Sequence, residues 1–150
     1  MKGIFRGRGR SERGAELIEM ALTLPLLLFI AVSIFEFGRA YQTWQVLTNA
    51  AREGARIAVL PYPVAGAAQA RVLAYMQAGS LPNASTATVT VNSSASIPYG
   101  AGTASASVVT VNYPFSFIVL NPVARLLVSN STLGAPITIT ASAEMRNEAP

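Results

Sequence analysis

Glu144 and Glu148, four residues apart near the C-terminus, are the carboxylate pair outside the long apolar segment that general acid–base chemistry could use. The other acidic residues beyond position 14, Glu16, Glu19, Glu36 and Glu53, all fall inside that segment. The chain has no histidine, cysteine or aspartate. That composition excludes a Ser-His-Asp triad, a His- or Cys-ligated zinc, thiolate chemistry and a disulfide framework. With these residue types missing, the expectation is a protein that is not an enzyme and takes no cofactor and no metal. Three N-x-S/T sequons, at Asn83, Asn92 and Asn130, are what so Ser/Thr-rich a tail contains by chance.

The net charge of +4 invites a nucleic-acid reading until the charges are located. Lys2, Arg6, Arg8, Arg10 and Arg13 against Glu12 place +4 in the first 14 residues, and the six arginines after them balance six glutamates. The basicity belongs to a leader, residues 1–14, whose Gly- and Arg-rich, aperiodic residues 1–13 read as disordered. No nucleic-acid partner is expected. Positive charge just ahead of an apolar run holds that end in the cytoplasm and sends the C-terminal part across the membrane.

The apolar segment, residues 14–60, reads as one long helix, occupying 15–60 once the leader is set apart. Residues 20–35 carry no charge. Taking in 17–37, with Glu19 and Glu36 reaching toward the head groups, gives a span of about 31 Å at about 1.5 Å per residue, the thickness of a bilayer core. Pro25 inside it predicts a kink, since lipid-embedded helices re-satisfy the freed carbonyl. Beyond the span, Arg39, Gln42, Gln45, Asn49, Arg52 and Arg56 make a polar stripe. Phe37, Tyr41, Trp44, Thr48, Ala51, Ala55 and Ala58 make an apolar one. Ala50, Gly54 and Ala58 repeat at four-residue spacing, a small-residue face on which either a partner helix or the chain's own domain could pack. A competing reading takes the same apolar run as a secretory signal cut after Ala31-Val32-Ser33, leaving a soluble exported protein that begins near Ile34.

Pro61-Tyr62-Pro63 ends the long helix, and residues 61–150 read as an exported α/β domain. A second helix is expected over 64–78, with Gly79 as its C′ residue. The period then changes to 2: strands are expected over 86–92, 104–113 and 137–146, with the Ser/Pro/Gly-rich stretch 93–102 as a loop. In the last strand Ile137, Ile139, Ala141, Ala143 and Met145 face inward, and the alternate residues face water. Asn121 is placed to cap a short helix with Pro122 at its first position and 123–128 following. The apolar stretch 115–128 either covers the core or forms an exposed patch for a neighbouring subunit or the membrane surface. The fold class is α+β: a long N-terminal helix, a short helix and a small antiparallel sheet of about three strands.

A set of residues along the long helix resembles the TadE-like pseudopilins of tight-adherence (type IVc) pilus systems. It comprises Arg13-Gly14 with Glu19 five residues beyond the glycine, Ala21, Pro25, Glu36-Phe37-Gly38-Arg39-Ala40, and Asn49-Ala50-Ala51-Arg52-Glu53-Gly54-Ala55-Arg56. The ending from Ala141 to Glu148 is similar to the family's C-terminal strand. Met20 stands where members usually carry Phe or Tyr. The resemblance implies a type IV pilin-like minor pilin or pseudopilin, cut after Gly14 by a prepilin peptidase so that Ala15 becomes the first residue. It implies Gly14, Ala15, Glu19 and Met20 as the processing segment, and Pro25, Glu36, Arg39, Ala50, Gly54 and Ala58 as helix-packing or assembly residues. The implied partners are the peptidase, other pilins and inner-membrane pilus assembly proteins. The implied location is the bacterial inner membrane, N-terminus cytoplasmic and domain extracytoplasmic, with incorporation into the extracellular pilus on assembly. Independently, Glu19 near the hydrocarbon is costly by a few kcal/mol, on the order of insertion-scale values, unless it finds a partner. A new amino group on Ala15 would be about 6 Å along the helix. The alternative class is a membrane-anchored binding module unrelated to pili.

Overall fold

A computed structural model describes residues 8–100 and 102–148. Its first element, α1, is a single helix, Arg8–Ala58. Residues 8–13, expected to be unstructured, continue this helix, since no proline intervenes and each glycine costs only about 1 kcal/mol against alanine. Residues 1–7 of the basic leader, Lys2 and Arg6 among them, lie outside the described residues. Pro25 is carried inside α1, which stays helical through it. Its most apolar 18-residue window has a mean hydropathy of 2.3, and none of that window is buried.

α1 changes character at Glu36. None of residues 14–35 is buried, whereas Glu36 is and, seven residues on, so are Thr43, Leu47, Ala50, Gly54 and Ala58 at steps of three and four, which places them on one face. That face is seated on the rest of the chain. The second helix, α2 (Ala67–Ala78), begins three residues later than the sequence pattern predicts and lies against α1 through Ala68, Val72 and Met76.

Three antiparallel strands follow: β1 (Thr88–Tyr99), β2 (Gly102–Phe115) and β3 (Ile137–Arg146), in the order β1-β2-β3. The stretch expected as a loop, 93–102, is instead the tip of a long hairpin. β1 runs on through Pro98 and closes at the pair Tyr99↔Gly102. Composition misleads there because β1 is an edge strand, where a proline need not give a ladder hydrogen bond and a bulge is tolerated. The bulge falls between Asn92 and Ala95, and Asn92 Oδ1 accepts from the Ser94 backbone N–H and from its hydroxyl, both at 3.1 Å. β3 has the bounds read from sequence and the expected alternation over most of its length, with Ala141 and Ala143 buried and Thr140, Ser142 and Glu144 exposed, but Ile137, expected to face inward, is exposed at the sheet's end.

β2 is the central strand and buries Ser107, Val109, Val111, Tyr113 and Phe115 in alternation. Val109 and Val111 meet Leu47, Val72 and Met76 from the helices, so the core is a helix layer on one face of a three-stranded sheet. So small a domain cannot close its core alone, and the C-terminal half of α1 supplies a large part of the lid. The third helix, α3 (Leu120–Leu127), crosses from β2 toward β3 and buries Leu120 and Ala124, so it chiefly covers the core.

Candidate functional site

Glu36 has no solvent-exposed surface, the most unusual position for a carboxylate in the fold. Its Oε1 accepts two backbone N–H groups, from Ile118 at 2.8 Å and Val119 at 2.5 Å. Its Oε2 takes the Arg39 guanidinium at 2.6 Å, one helical turn along α1. Val119 is the N-cap of α3 and makes no side-chain cap bond, and the Glu36 carboxylate takes from α1 the N-cap N–H that a glutamate at the third helical position, here Pro122, would accept in a capping box. Asn121, expected to be that cap, instead sits inside α3 and gives its side-chain N–H to Leu133 O at 3.0 Å. The helix starts earlier than the Asn-Pro signal suggests because a strong acceptor already waits at residue 36.

Around this clasp the aromatic residues are ordered. The Arg39 guanidinium lies 5.2 Å from the centroid of the Phe115 ring, and Phe115 meets Phe117 edge-on at 5.2 Å. Phe117 in turn meets Phe37 edge-on at 6.2 Å. Tyr113 donates its hydroxyl to Pro82 O. Burial raises the Tyr113 pKa above the usual phenol value, and the Arg39 charge opposes that rise in part. Beside these groups is a cavity of about 410 Å³, reached by Arg39, Gln42, Asn83, Tyr113 and Ser116.

The small-residue face had two occupants open to it, and the structure seats the chain's own elements there. A Cβ on Gly54 would collide with Val72 Cγ2 and come within 3.3 Å of Val109 Cγ1. Ala50 and Ala58 are buried beside it. Gly79 follows the same logic. A Cβ there would lie 2.6 Å from Val46 Cγ1, while the left-handed C′ position expected of it is taken by Ser80 at φ 55°. The N–H groups of Ser80 and Leu81 then return to Gln77 and Met76 carbonyls, closing the helix end.

At the far end of α1 is a second clasp that the sequence pattern gave no reason to expect. The buried Ser107 hydroxyl donates to Asn147 Oδ1 at 2.7 Å and lies 3.4 Å from Ala58 O. Asn147 Nδ2 reaches Ser105 Oγ at 2.7 Å, and the Glu148 N–H meets Val59 O at 3.0 Å. Nearby, Glu53 bridges Arg71 at 3.0 Å and Arg56 at 3.5 Å on the surface.

The segment expected to be processed stands apart from both clasps. Ala15, Glu19 and Met20 are exposed on α1, and nothing lies within 4 Å of a Cβ placed on Gly14. Among the described residues no three acidic, His or Cys side chains stand together as a metal site. The sequence profile described as TadE-like protein matches residues 14–56, less than a third of the chain. That match takes in Gly14, Glu19, the Glu36–Arg39 pair, Ala50 and Gly54, and ends before Ala58. No curated protein and no solved structure matches the chain.

Proposed function

We propose that this chain is a TadE-like pseudopilin: a membrane-anchored subunit that acts in the assembly of a tight-adherence pilus. The observation that carries the reading is the profile match over 14–56, which holds the Gly14–Glu19 segment and the Glu36 clasp residue in one continuous stretch. The exposed apolar half of α1 supports an anchor, because side chains such as Leu22, Leu27 and Ile34 are left open to the surroundings over a length suited to a bilayer. The basic residues ahead of it support a cytoplasmic N-terminus and an extracytoplasmic domain.

In this reading a prepilin peptidase cuts after Gly14, where the absence of a Cβ gives access to the backbone. The new Ala15 amino group then offers Glu19 a cation about 6 Å along the helix, or closer on an adjacent subunit. Other pilins and inner-membrane assembly proteins contact the anchor half, since the small-residue face of the outer half is occupied by the chain's own domain. Glu53 and its arginines remain on the surface.

Intact mass of the membrane-extracted protein tests the proposal. A mature chain beginning at Ala15, and an uncut precursor when Gly14 is replaced by a bulky residue, are the expected results. A first residue near Ile34 would sink it in favour of a secreted protein, and an unprocessed Met1 would leave only an anchored module. Glu19→Gln should insert normally yet be recovered with fewer pilin partners.

A further inference from the structure

We infer that the base of the exported domain lies on the membrane itself, with Ile118 entering the lipid head-group boundary beside the span. The inference rests on the anchored reading and adds a lipid-facing surface to the folded domain.

Depth comes first. Glu36 immediately follows the uncharged run 20–35, so it marks the outer edge of the expected span. Ile118 and Val119 are held to the Glu36 carboxylate by backbone hydrogen bonds of 2.8 and 2.5 Å, which puts their chain at the same depth. The domain therefore has no stalk. Its loop touches the helix where the hydrocarbon ends.

Chemistry comes second. A loop fixed at that level in water would be expected to turn polar side chains outward, yet Ile118 is 62% exposed and Phe37, next to the clasp on α1, is 60% exposed. Leu133 and Ile137 are exposed as well, and both are tied to the same end of the domain. The Leu133 carbonyl accepts from Asn121, and Ile137 pairs with Phe115 in the sheet. One helical turn and two above Glu36, Tyr41 and Trp44 are exposed too, the residue types that favour the membrane–water boundary. Exposed Ile34 and Phe35 precede Glu36 on α1 and exposed Phe37 follows it, so exposed apolar side chains run without a break along the helix through the level at which Ile118 is held. That continuity selects lipid over a second copy of the chain.

The absence of cysteine permits a direct test with single-cysteine labels on the full chain. Leu27→Cys, Ile118→Cys and Ser96→Cys would each carry an environment-sensitive fluorophore in vesicles of phosphatidylcholine and phosphatidylglycerol. Quenching by lipids nitroxide-labelled near the head group, or deep in the chain, is compared with quenching by aqueous iodide. Expected is deep-lipid quenching at Leu27, head-group-lipid quenching with iodide protection at Ile118, and iodide quenching alone at Ser96, on the hairpin near the far end of α1. Iodide quenching at Ile118 without lipid quenching would overturn the inference and leave the anchor intact. Protection of Ile118 from both quenchers would overturn it in favour of a second copy. Failure of lipid quenching at Leu27 would overturn the anchor reading, and the inference with it.

Discussion

The Glu36 carboxylate accepts the Val119 backbone N–H at 2.5 Å across 83 positions of sequence. That single bond joins the segment ahead of the sheet to the one that follows β2, and with the Ile118 N–H and the Arg39 guanidinium it surrounds the buried charge with donors. An ionised group out of water is tolerable only when it is paired and hydrogen-bonded in this way.

Removing Glu36 should therefore be among the most damaging single changes in the domain. Glu36→Ala strips Arg39 and two backbone donors of their acceptor and is expected to cost about 3 to 5 kcal/mol, the scale for breaking a buried pair. Glu36→Gln, which keeps the shape and one acceptor, should fall between. Denaturant unfolding of the detergent-solubilised protein measures both. A loss below about 1 kcal/mol in the alanine variant, the range of exposed pairs, would mean the carboxylate is solvated in solution.

Gly54→Ala should destabilise although alanine favours a helix by about 1 kcal/mol, because the added methyl group collides with Val72 Cγ2. Gly54→Leu overpacks the same place, with a typical cost of about 1 to 3 kcal/mol. Combining Gly54→Ala with Val72→Ala should relieve the collision, so the double variant loses less than the sum of the singles. Limited proteolysis of the domain gives the readout, and additive losses would contradict the contact.

Asn147→Ala should loosen one end of α1 only. It removes one partner of the buried Ser107 hydroxyl, which keeps Ala58 O at 3.4 Å, and the partner of the exposed Ser105, with an expected cost of about 1 kcal/mol. Amide exchange should quicken around Ala58 and Val59 while the Ile118 and Val119 amides keep their protection. Equal loss of protection at both ends would show that the two clasps open as one unit.

Tyr113 predicts a loss of stability in alkali. Its folded-state pKa is raised above the ordinary value of 10.0, so the unfolded chain releases the phenolic proton first. The stabilisation is fully present below pH 10.0 and is lost as pH rises through the folded-state pKa. Tyr113→Phe should be less stable at neutral pH, by about 1 kcal/mol for the bond to Pro82, yet show a shallower decline above pH 10.0. Thermal unfolding across that range gives the comparison.

The sequence makes periodic features legible and long-range backbone contacts illegible. β3 can be read along most of its length because every second side chain is apolar, and the small-residue repeat at Ala50, Gly54 and Ala58 falls where Val72 and Val109 come close to Gly54. Who approaches could not be read, since Val72 and Val109 carry no mark that distinguishes them from a neighbour's side chains. Glu36 reads as a residue reaching for head groups because its partners are the N–H groups of Ile118 and Val119, which any two residues possess. The hairpin tip misleads for the opposite reason. Its serines, Pro98 and Gly100 have loop composition, but pairing with β2 extends β1 to Tyr99.

The two clasps also set how the fold bears load. Glu36 and Ala58 are separated by about 33 Å along α1 at about 1.5 Å per residue, and the sheet is fastened to the helix near each. A pull on the sheet parallel to the helix axis is a shear that strains both fastenings together, with the interdigitated core between them. A pull at right angles is a peel that opens them in turn, beginning at whichever end is lifted. The same set of weak bonds is thus strong along the axis of α1 and weak across it.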